Sequence, residues 1–105
     1  DWAKGWIVYV DSAVSDMDTA ATTLTGANII RVWSDIPSGA VITATKSSTA
    51  LSYIRFNPSG LLARDRNDTT PRMLNAYIQK CRGKQQYQIT LGIAGLVTNT
   101  LIDCP

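Results

Sequence analysis

Residues Ser52 to Asp65 read SYIRFNPSGLLARD, and the reading of this stretch decides the fold class. Apolar residues flank Asn57-Pro58-Ser59-Gly60 on both sides. In a type I turn Asn57 would hydrogen-bond its own backbone, Pro58 would preset the first central φ, and Gly60 would tolerate the exit. The stretch therefore predicts a β-hairpin, with Tyr53 and Arg55 two apart on one strand face. Arg55, Arg64 and Arg66 ride on it, which raises the question of scaffold or working surface.

Working outward, the composition agrees with sheet. The 105 residues hold no Glu and no His, and they are rich in Thr, Ser, Ile and Val. β-branched side chains suit a pleated, half-buried surface, whereas helix interiors draw on Glu, Lys, Ala and Leu. The length predicts a single domain over 1–105. Strands are expected at Trp6–Val10, Ile29–Trp33, Val41–Thr45, Ala76–Lys80 and Gln86–Leu91, with Leu96-Val97 resuming after a turn at Gly95. Residues 11 to 28 read as a loop with one weak helical turn capped by Ser15 or Asp16. Lys46-Ser47-Ser48-Thr49 and 65–71 (DRNDTTP) read as polar breaks. About seven short strands separated by turn chemistry describe an antiparallel meander or sandwich, burying Trp6, Val8, Ile30, Val32, Ile54, Phe56, Ile89 and Leu91.

Cys81 and Cys104 are the whole thiol inventory. An even count in a small β-rich chain points to one disulfide and an oxidising compartment; the alternative is two unrelated buried thiols. No stretch approaches the ~18 apolar residues of a membrane helix. The chain opens at Asp1-Trp2 without Met, as a mature or cut form would, so that anything membrane-borne would lie upstream.

The residue inventory narrows the chemistry. Without His, imidazole-based triads and metal sites have no ligand or base. Without Glu, a carboxylate pair would have to be two aspartates, and Asp16 and Asp18 read as a solvated turn. A dyad of Lys46 with Ser47 or Ser48 would lack an oxyanion hole. Asp65-Arg66-Asn67-Asp68 resembles the start of a calcium loop, but Thr70 stands where Gly is needed and Ala76 where the bidentate Glu would be. No catalytic residue, metal site or cofactor is expected. The remaining candidate is basic. Arg55, Arg64, Arg66, Arg72, Lys80, Arg82 and Lys84 stand against only Asp65 and Asp68 between positions 55 and 84, while the rest of the chain is net acidic. Of these, Arg55, Lys80 and Arg82 would make a stacking and phosphate-binding face with Tyr53, Tyr77 and Tyr87 if they shared one side of the sheet. Otherwise the tyrosines edge the core and the charges keep the surface soluble, which is the favoured reading.

Trp2-x-x-Gly5-Trp6-Ile7-Val8 before Asp11, Ile54-x-Phe56-x-x-x-Gly60, and Cys81 leading into Tyr87-x-Ile89 and Gly95 together resemble the soluble domain of GspH/FimT-type minor pilins and pseudopilins. The resemblance runs from Trp2 to about Val97. It implies a β-rich head, an inner-membrane helix N-terminal to it that is missing here, and a structural, non-enzymatic role. The implied partners are other minor pilins and the major pilin. The implied location is the bacterial inner membrane and periplasm before assembly, then the cell-surface pilus. A cysteine pair closing the C-terminal region is typical of type IV pilins, which favours a FimU-like minor pilin that primes assembly near the tip, in twitching motility or adhesion. Two other readings stay open: a DNA-binding minor pilin for uptake in transformation, and a minor pseudopilin of type II secretion. Members that bind DNA carry a Gly-Arg-x-Arg motif where this chain has Gly95-Leu96-Val97-Thr98, without a positive charge. DNA is therefore a possible partner but not the favoured one.

Overall fold

The computed structural model describes residues 2–11 and 28–105. The expected weak helical turn and the aspartates Asp16 and Asp18 lie outside them. The described residues form seven strands and a short 3-10 turn at Trp2–Lys4, and the fold is mainly β with antiparallel pairing throughout. Strands β1 (Trp6–Tyr9) and β2 (Ile29–Trp33) pair as a two-stranded ribbon. Strands β3 (Ala40–Lys46), β4 (Thr49–Ala50), β5 (Arg72–Ile78), β6 (Gln86–Leu91) and β7 (Val97–Ile102) form a second sheet in the order β4-β3-β5-β6-β7.

The register of the larger sheet sorts its side chains. Ala44 faces Leu74, Leu74 faces Ile89 and Ile89 faces Asn99; Ala76 faces Tyr87, which faces Leu101. Because side chains alternate along a strand, Ala40, Ile42, Ala44, Leu74, Ala76, Ile78, Tyr87, Ile89, Leu91, Val97 and Leu101 share one face. The other is mixed: Val41, Met73, Tyr77 and Ile102 lie on it with Thr43, Asn75, Gln88, Thr90, Thr98 and Thr100, and Gln88 Nε2 donates to Asn75 Oδ1 at 3.3 Å.

The core sits at one end of the apolar face, beneath the chain from 51 to 68. This segment is the expected hairpin in reduced form: no extended strands, one antiparallel bridge between Phe56 and Leu62. The turn chemistry is as the sequence suggests. Gly60 N–H donates to Asn57 O, and Asn57 Oδ1 accepts from the amides of Ser59 and Leu61. The turn docks on the β6–β7 connection, where Leu62 N–H donates to Ile93 O at 3.2 Å. Gly95, at φ +81°, lies so close that a Cβ there would press into the Gly60 carbonyl oxygen. Leu62 is 2% exposed, as is Ala44, and Leu91 is buried nearby.

Several expectations are corrected. Val8, Ile30 and Val32 are exposed, because no layer of described residues stacks on the β1–β2 ribbon; Phe56 is exposed at the hairpin tip. Strand β5 begins at Arg72, four residues before the predicted Ala76, and stops at Ile78 rather than Lys80. The Lys46–Thr49 break is a two-residue hairpin turn, with Ser47 and Ser48 both at positive φ. Within the ribbon, Trp6 and Trp33 stack at 5.7 Å, and Arg31 lies over the Trp33 ring. Gly5, at φ +113°, lets the chain pass against the Trp33 carbonyl oxygen.

Replacing Gly95 by Ala is expected to cost at least about 2 kcal/mol, left-handed strain plus displacement of the Gly60 backbone. Gly83→Ala, also at positive φ but with open space around the new Cβ, should cost only about 1 kcal/mol. Urea unfolding of both variants checks the difference.

Candidate interaction surface

The charged residues singled out from the sequence do not form one patch. Arg55, Arg64 and Arg72 line a groove of about 590 Å³ between the 50–55 segment, the 62–68 loop and the sheet, together with Lys46, Tyr53, Leu62, Asp65 and Asp68. Lys80, Arg82 and Lys84 are exposed around the β5–β6 connection, beyond the opposite end of β5. Arg66 is exposed on the loop rim.

Inside the groove each cation already has protein partners. One nitrogen of Arg64, Nη1, donates to the carbonyls of Asp65 (3.0 Å), Arg66 (3.1 Å) and Asp68 (2.8 Å), so the guanidinium organises the loop around itself. Arg72, buried at the start of β5, donates to Thr70 O at 2.6 Å and meets Asp68 Oδ2 at 3.2 Å. Lys46 Nζ reaches the same oxygen at 3.1 Å. Arg55 lies 3.7 Å from Asp11, joining this segment to the end of β1. A buried arginine persists only when its charge is matched and its N–H groups are used, and Asp68 does that for Arg72.

The aspartates that resemble a calcium loop are thus spent on the loop itself. Asp65 Oδ1 accepts from Asn67 N–H at 2.9 Å, and Asp68 Oδ1 accepts from Thr70 N–H at 3.0 Å. Among the described residues no group of three metal-binding side chains comes together. The Thr70 amide, followed by Lys46, the Thr70 hydroxyl and Arg72, holds the Asp68 carboxyl well below the usual carboxylate range, against the opposing effect of burial. Sequence reading missed Lys46 and Asp68 as members of this cluster. Its only local signal is Asp68 four residues before Arg72; Lys46 is brought in by strand pairing.

Cys81 and Cys104 are joined by a disulfide with their Cα atoms 6.0 Å apart, and Cys104 N–H donates to Gly83 O beside it. The bond ties the end of β7 to the β5–β6 connection. A different surface opens at this end of the sheet. Ile78, Tyr87 and Leu101, neighbours on the apolar face, are each about half exposed. Large apolar side chains grouped in this way mark contact surfaces more often than isolated ones do.

Asp68→Asn is expected to destabilise the fold at neutral pH by about 1–2 kcal/mol, the lower end of what a charge-assisted cluster contributes when its groove is open to water. Because the folded carboxyl titrates below its ordinary 3.8, its contribution is full above about pH 4 and is lost as the pH falls further toward the folded value. Thermal melts of parent and variant should therefore converge below about pH 4. A constant gap down to pH 2 would show that the contribution is not ionic.

Comparison with known proteins follows the same lines. No curated protein and no solved structure matches the chain significantly. A family profile, type II transport protein GspH, matches residues 1–95, taking in the two tryptophan strands, the hairpin and the Gly95 turn on which it docks. The chain belongs to the GspH family of pilin-like proteins.

Proposed function

We propose that this chain is the head of a minor subunit of a type IV pilus, one that joins other minor pilins to prime assembly and sits near the tip. Membership of the pilin-like family makes it a pilin or pseudopilin-type subunit. The observation that carries the finer reading is the cysteine pair closing the C-terminal region, a feature the type IV branch has more often than the secretion branch. The half-exposed Ile78, Tyr87 and Leu101 supply the contact surface toward neighbouring subunits. Among the described residues no helix is long and apolar enough to cross a membrane; membrane attachment on this reading belongs to a preceding segment. The head is a single domain whose work is packing rather than turnover.

A second reading, a minor pseudopilin of type II secretion, is favoured by the description of the matching family itself. The DNA-uptake reading has less support. Arg55, Arg64 and Arg72 are occupied with loop carbonyls and aspartates, and they stand apart from Lys80, Arg82 and Lys84. Phosphate binding draws its affinity from the number of cations that reach one backbone at once.

Crosslinking and affinity capture of the tagged full-length protein from its own cells separates these readings. The expected partners are type IV pilus subunits; recovery of secretion pseudopilins alone would support the second reading. Tyr87→Asp should reduce subunit capture at least about tenfold, as loss of a central aromatic anchor does, without lowering the melting temperature. DNA binding is expected to be absent by fluorescence anisotropy at about 50 mM salt, where phosphate contacts are strongest. Micromolar binding that collapses at about 200 mM salt would restore the uptake reading.

A further inference from the structure

The two edges of the larger sheet are built differently. On one side β4 is only two residues long and is closed off by the tight Ser47-Ser48 turn. On the other, β7 runs for six residues with β6 as its neighbour on one side and no described strand on the other. Residues Leu96 to Leu101 are all exposed, and Leu96 is 68% exposed. Native edges are usually blunted by Lys, Pro, bulges or brevity, because an open row of backbone N–H and C=O groups invites pairing. From Val97 to Ile102 there is no charge, no Pro and no Gly. Both ends of the strand are also fixed, by the Gly92 N–H to Leu96 O bond at one and by the disulfide at the other.

The sequence of this edge also names its partner. Leu96-Val97-Thr98-Asn99-Thr100-Leu101-Ile102 is a palindrome in residue class about Asn99: two aliphatics, Thr, Asn, Thr, two aliphatics. A strand with this symmetry is complementary to itself when run antiparallel. We propose that β7 is a homotypic interface, pairing edge to edge with β7 of a second copy about a two-fold axis at Asn99. In that register Leu96 lies opposite Ile102 of the second copy, Val97 opposite Leu101, Thr98 opposite Thr100, and Asn99 opposite itself. Aliphatic and Thr–Thr cross-strand pairs are the favourable ones, and no like charges meet. Moving the axis by one residue, to Thr98 or Thr100, sets threonines against aliphatics, so the pattern specifies one register. The axis runs perpendicular to the sheet, so the face carrying Leu91, Ile89 and Tyr87 continues into the second copy through Val97 and Leu101, with the two Asn99 side chains meeting on it at the axis. Such self-complementary contacts are the ordinary form of a two-fold interface.

Sedimentation and three substitutions in the 105-residue chain test this. Sedimentation equilibrium should show a reversible dimer over about 10 µM to 1 mM, the affinity range of a small interface. Asn99→Lys, which sets two ammonium groups face to face on the axis, should weaken the dimer at least about tenfold and leave the melting temperature within a few degrees. Asn99→Cys should crosslink spontaneously to a covalent dimer in a mild redox buffer, since facing residues lie about 4.5–5.5 Å apart at Cα, within disulfide range. Thr49→Cys, on the opposite edge, should not. A chain that stays monomeric at about 1 mM, with Asn99→Cys crosslinking no faster than Thr49→Cys, overturns the proposal. A dimer that Asn99→Lys leaves intact overturns it as well.

Discussion

Everything at the buried end of this protein depends on one backbone-to-backbone approach, that of the Asn57–Gly60 turn to the Gly92–Val97 turn. Two peptide segments can lie this close only where a side chain is missing, and Gly95 supplies the gap against the Gly60 carbonyl. The approach lets Leu62 donate to Ile93 and places the Leu62 side chain in the interior. It also carries the following loop over the end of the sheet, where Arg64 gathers its carbonyls and Asp68 meets Arg72 and Lys46. A β-sheet this small has few other places to bury apolar area. The hairpin is therefore scaffold, and Arg55 and Arg64 are part of it, while Arg66 stays exposed on the loop rim.

The same arrangement explains why a run of positive charge along the sequence is not a positive surface. Strand β5 spans seven residues, roughly 20 Å at the rise of an extended chain. It puts Arg72 at the covered end of the sheet and Lys80 beyond the open one. Charge that is close in sequence is thereby separated in space, and the half at the covered end is matched by Asp11 and Asp68. What the open end offers instead is apolar: Ile78, Tyr87 and Leu101.

How much of this was legible beforehand follows from which forces write themselves into local sequence. Strands β2 and β6 were readable to the residue, because apolar β-formers are bounded there by turn chemistry. So was the turn at Asn57, whose side chain does what an Asx turn requires. Strand β5 was read late, because its first inward position is Arg72, and an arginine resembles surface until its partner Asp68 is in view. Strand β7 was cut short for the opposite reason. Thr98, Asn99 and Thr100 bury nothing, and hydrogen bonding to β6, not periodicity, makes them a strand. The exposure of Val8, Ile30 and Val32 was not legible, since hydrophobicity states what a residue prefers and not whether a second layer is there to satisfy it.

The covalent link between Cys81 and Cys104 bears on how the protein would behave as a load-carrying element. It short-circuits the chain between two positions twenty-three apart in sequence, the stretch that holds β6 and β7. Tension applied between a point before Cys81 and one after Cys104 passes through the sulfurs and bypasses those strands, so such a pull does not peel β7 from β6. About 80 Å of contour length is withheld from any extension. Mechanical yielding is confined to the part of the chain before Cys81, where the β1–β2 ribbon and the pairings of β5 with β3 and β6 carry the force.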